Sequence, residues 1–138
     1  LDQHISLDDL DHHKAVGFVD TQWDYDELYS MAYDINISLN FLNNRDLETP
    51  EHYDRLLERW LKLQGGLPKH AVLQICIGRL YELKGKLEES KIHFDNALKL
   101  YQEQAVQKAY GKYLSWKSNP GIQSFKAYAS SVGKTEVF

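Results

Sequence analysis

The sequence predicts an all-α protein: about six helices arranged as stacked antiparallel α-hairpins in a single domain over residues 1–138. Three observations predict it. After residue 24, apolar residues recur at spacings of three and four, the period of one helix face. Capping residues, prolines and glycines punctuate that pattern where helices should start and stop. No alternating strand–turn–strand pattern occurs.

The N-terminal segment, residues 1–22, is irregular and rich in aspartate, with one short helix expected from Leu7 to about Lys14 and ended by Gly17. A first hairpin spans 24–64. Its first helix carries Leu28, Met31, Ala32, Ile35, Leu39 and Leu42 at helical spacing, with Asp24 and Asp26 as caps. Its second helix has Thr49 as N-cap, Pro50 at the first helical position and acids near the start, where the helix dipole favours them. Tyr53, Leu56, Leu57, Trp60, Leu61 and Leu63 form its buried face, and Gly65-Gly66 stop it.

The segment 68–104 reads most clearly. One helix runs from about Pro68 to Lys84, Gly85 closes it, and the next runs from Lys86 to Gln104. A less regular C-terminal hairpin covers 105–132: a helix from Ala105 to Lys117, a turn at Asn119-Pro120-Gly121, and a weaker helix from Ile122 to Val132. Residues 133–138 read as a tail.

Residues 71–104 resemble the tetratricopeptide repeat, whose period is about 34 residues. Gly78, Ser90 and Ala97 fall on the small positions where the paired helices must approach. Tyr81 and Phe94 fall on the large ones, and Gly85 falls on the turn. Gln74 and Gln102 stand where the pattern has tryptophan and proline. Gly111 lies one residue short of the next period, so the flanking hairpins are degenerate repeats. The segments "ERWLKLQGGLPKHAVLQICIGRLYELKGKLEES" and "FDNALKLYQEQAVQKAYGKYL" also resemble the C-terminal part of the proteobacterial HemY family, tetratricopeptide proteins associated with haem-biosynthesis operons. The first 45 residues carry no such likeness.

The tetratricopeptide resemblance implies a right-handed superhelix with a concave partner-binding groove at Val72, Ile75, Arg79, Glu82 and Leu83. Ile75 and Arg79 stand where carboxylate-gripping relatives carry Lys and Asn, which argues against that ligand class. Tyr25, Tyr29 and Tyr33 repeat every four residues and form a second candidate face, since tyrosines make rigid interface anchors. The expected function is therefore a non-catalytic protein-interaction module that binds a peptide, a helix or a partner subunit. The alternatives are an oligomerisation domain, such as a homodimer, and a metal-responsive domain using Asp8, Asp9, Asp11, His12 and His13.

Composition narrows the classes. The net charge is −4, from 16 basic and 20 acidic residues, with no basic stripe to attract nucleic acid. No apolar run is long enough for a membrane span, and the first residues lack the charged and apolar regions of a signal peptide. With no initiator Met, the chain reads as a fragment, cytoplasmic or the soluble part of a membrane-anchored protein. Cys76, the single cysteine, sits in an apolar run and reads as a small buried hydrophobe. No phosphate loop, nucleophile elbow or HExxH motif is present, so neither a cofactor nor an enzymatic reaction is expected. His52, His70 and His93 read as surface residues, and Trp60 and Trp116 as core.

Overall fold

A computed structural model of the chain describes residues 50–65, 67, 69–115 and 119–134. These residues are mostly helical and contain no strand. The elements are α1 (Pro50–Leu63), α2 (Ala71–Leu83), α3 (Leu87–Leu100), α4 (Gln104–Tyr110), a 3-10 turn (Gly111–Ser115) and α5 (Pro120–Ser131). The expected first helix of the upstream hairpin, the Tyr25/Tyr29/Tyr33 stripe, the N-terminal Asp/His segment and Trp116 lie outside the described residues.

The centre of the fold is α2. It packs against α3 most extensively, then against α5, α1 and α4. Its sequence, AVLQICIGRLYEL, dictates this place. Residues 71–78 and Leu80 are all buried, so most of the helix has no solvent face. A helix that is apolar nearly all round must be enclosed by neighbours.

Helix α1 runs antiparallel to α2. Its first turns meet the end of α2 through the Lys84–Asp54 ion pair, and Gln64, just past its last turn, meets Gln74 near the start of α2. Trp60 on α1 is fully buried, as its position on the apolar face implies. Helix α2 ends in a Schellman arrangement. The Lys86 N–H donates to the Tyr81 carbonyl at 2.9 Å, the Gly85 N–H donates to Glu82 at 3.0 Å, and Gly85 takes φ +75°, where a Cβ would be strained.

The α2–α3 hairpin closes around Gly78. A Cβ placed there would lie 2.7 Å from the Phe94 ring. Ser90 and Ala97 on α3 are buried beside it. Phe94 in turn meets Phe125 and Tyr128 of α5, with ring centroids 6.0 and 5.7 Å away. Tyr101 reaches Phe125 as well, so α5 lies antiparallel along α3.

Several boundaries differ from those expected, among them the end of α3, at Leu100 rather than Gln104. Helix α2 begins at Ala71 rather than Pro68, because His70 caps it: its Nδ1 accepts from the Leu73 N–H at 3.2 Å. The helix expected over Ala105–Lys117 is α-helical only to Tyr110 and then tightens into the 3-10 turn at Gly111, which buries Tyr113 and Leu114. Helix α5 begins at Pro120 rather than Ile122. Asn119 is its N-cap, with Oδ1 accepting from the Ile122 N–H at 3.1 Å, and Pro120 fits the first helical position.

Candidate functional site

The residues expected to line a concave groove do not form one. Val72 and Ile75 are fully buried, and Leu83 is half-buried against the core. Arg79 is drawn under α5. Its Nη1 pairs with Glu82 Oε1 at 2.5 Å and donates to Ser124 Oγ at 3.1 Å, and Gly121 sits close over its aliphatic stem. The cause is that α2 is the central helix, so the face assigned to a ligand is occupied by the chain itself.

The polar surface that is present lies on the other side of α2. Gln74 is the one polar residue in the apolar run at 71–78, and it is buried. A buried carboxamide must find partners, and it does. Its Nε2 donates to Gln64 Oε1 at 3.0 Å. Its Oε1 accepts from Asn96 Nδ2 at 3.3 Å and meets His93 Nδ1 at 2.8 Å. A carboxamide oxygen only accepts, so His93 Nδ1 carries the hydrogen. The His93 ring also stacks on Tyr81, with centroids 5.5 Å apart. Burial holds the His93 pKa below its ordinary value.

Gln74 and Asn96 of this network line a groove of about 280 Å³ together with Lys99, Leu100 and Glu103. Asn96, Lys99, Leu100 and Glu103 recur at spacings of three, one and three, which puts them on one stripe along α3 and just beyond its end. At the rim, Lys69 from the α1–α2 connection pairs with Glu103 at 2.5 Å. Lys99 is exposed and has no ion-pair partner among the described residues.

His70 and His93, read from sequence as surface residues, are both structural. His70 is buried as the α2 cap, 4.5 Å from the Tyr110 ring. His93 belongs to the network under the groove. The repeat positions Gly78, Tyr81, Gly85, Ser90, Phe94 and Ala97 all sit within the α2–α3 hairpin, with Tyr81 half-buried against His93. Cys76 is enclosed, and desolvation pushes its thiol pKa up to about 12. Among the described residues no three of His, Cys, Asp and Glu come together as metal ligands would, and no helix is long and apolar enough to cross a membrane.

Sequence reasoning passed over Gln74 and Asn96. The signal was present: a lone glutamine in the apolar run around it marks a buried polar group that needs a built environment. The chain matches no protein-family model, no curated protein and no solved structure.

Proposed function

We propose that this chain is a non-catalytic interaction module, and that a peptide or a segment of a partner protein docks on the groove between the start of α2 and the end of α3. One observation carries the reading. The Gln74 network holds Asn96 in place on the wall of an open groove, while Lys99 stands beside it with no ion-pair partner among the described residues. Rigidly supported polar groups facing a concavity are what recognition of a partner needs. The tight α2–α3 crossing at Gly78 supports a tetratricopeptide-like hairpin as the scaffold, with α5 stacked on it as the following element.

A photo-crosslinking amino acid at position 100 tests this in extract from the native cell. Adducts at Leu100, and none from the same group at exposed Ser130 on α5, are the expected result. Equal labelling at both positions, or none at 100, overturns the reading.

Assembly with a second copy is the second reading. Leu87, Ile92 and Val132 are large apolar residues left exposed. Isolated exposed apolar side chains are ordinary on monomers, so this reading ranks behind the first. A concentration-dependent mass in sedimentation that Ile92→Glu abolishes would reverse that order.

A further inference from the structure

Two carboxamides in the groove, Gln74 and Asn96, differ in what they leave for a ligand. Gln74 Oε1 is saturated by two partners, and one of the two Nε2 hydrogens is committed to Gln64. Asn96 commits one Nδ2 hydrogen to Gln74, which leaves its Oδ1 and its second N–H. The groove therefore offers a carboxamide edge with one donor and one acceptor, the pattern complementary to a peptide group.

Charge then distinguishes the ligands. Among the described residues, the ionised groups around the groove are Lys69, Lys99 and Glu103, two cations against one anion. The Lys69–Glu103 pair is internally neutralised, so Lys99 is the unbalanced charge. The whole chain carries −4. Screening over about 8 Å at physiological salt lets the near cation outweigh the distant anions. Leu100 supplies the adjoining apolar wall.

We propose that this groove takes an acidic peptide segment, with a carboxylate on Lys99 and a main-chain amide on the free edge of Asn96. The proposal rests on the interaction-module reading and adds the chemistry of the partner. The carboxylate is that of an acidic side chain within the segment, and a free C-terminus in its place is an outcome of the test.

Three short synthetic peptides separate the cases. One is Ala-Ala-Glu-Ala-Ala blocked at both ends. The second replaces its glutamate with glutamine. The third is all alanine with a free C-terminal carboxylate. Each is titrated into the labelled protein while the side-chain amide NMR signals of Asn96 and Gln74 are followed. The glutamate peptide is expected to shift those signals and to bind at least about tenfold more tightly than the glutamine peptide. Tighter binding by the free C-terminal peptide than by the glutamate peptide would overturn the assignment to a side chain. Lys99→Gln should erase the difference, and Lys99→Arg should keep it. If the carboxylate and glutamine peptides shift the Asn96 signal equally, the acidic assignment is wrong and the module reading survives. If no peptide moves it, the acidic-peptide proposal is overturned, and crosslinking at position 100 decides the module reading separately.

Discussion

Gly78 on α2 and the ring of Phe94 on α3 occupy one shared space: a Cβ on the glycine would lie 2.7 Å from both Cδ1 and Cε1 of the ring. No real pair of atoms of this kind sits so close. Retreat is not free for the ring, because Phe125 and Tyr128 of α5 hold its other sides. Gly78→Ala is therefore expected to destabilise by about 1–3 kcal/mol, and Gly78→Leu by more. Chemical denaturation checks this. The sharper measurement is a double-mutant cycle: Phe94→Leu should absorb part of the cost of Gly78→Ala, and strict additivity would show that the two residues do not compete.

The α2–α3 hairpin was legible in the sequence because its determinants are local. Gly85 supplies a positive φ, and small residues at 78, 90 and 97 mark a close crossing. The site was not legible, because repeat analogy assigned one face of α2 to a ligand. The same residues, 71–78, contain one polar side chain and so have almost no face to offer water. Reading that run as an enclosed helix would have placed Val72 and Ile75 in the core and pointed to Gln74 as the exception. Asn119-Pro120 reads as a turn, although asparagine before proline is also a helix start, and the Asn119 cap on the Ile122 N–H separates the two.

The cap on α5 gives a second prediction. Asn119 is fully buried, and its Oδ1 satisfies the Ile122 N–H. Asn119→Ala should cost about 1 kcal/mol, because loss of the cap in a site closed to water is partly offset by removal of the buried Nδ2, which has no partner among the described residues. Because α5 covers Arg79, amide hydrogen exchange in residues 120–131 should accelerate before the α2–α3 hairpin loosens. Uniform acceleration across both would contradict an α5 that docks separately.

His93 makes stability depend on pH in a definite direction. Burial lowers its pKa in the folded state below the unfolded value of about 6.5. As pH falls through that unfolded value, the unfolded chain takes up a proton before the folded one, so stability is lost as pH drops. Above it, both states are neutral at this residue and the contribution is fully present. The stability difference between the wild type and His93→Gln should therefore shift in the mutant's favour from pH 7.5 to pH 5.5, roughly one unit either side of the unfolded value. A flat difference would mean that His93 is solvated.

Cys76 reports global opening. It is enclosed at the centre of α2, and desolvation holds its thiol pKa near 12. At pH 8 almost none of the folded population carries the reactive thiolate, and the sulfur has no route to reagent. Alkylation should thus be slow in native buffer and complete within the reagent's own timescale in denaturant. Across a denaturant series the native rate should follow the unfolding equilibrium, because modification of an enclosed group samples the open state. Mutations that loosen the core around α2, Gly78→Ala among them, should raise that rate about tenfold for each ~1.4 kcal/mol of stability they remove. A Lys99→Gln variant, altered only at an exposed groove position, should leave it unchanged. Fast labelling of the unmodified protein would place Cys76 at a surface and displace α2 from the centre of the fold.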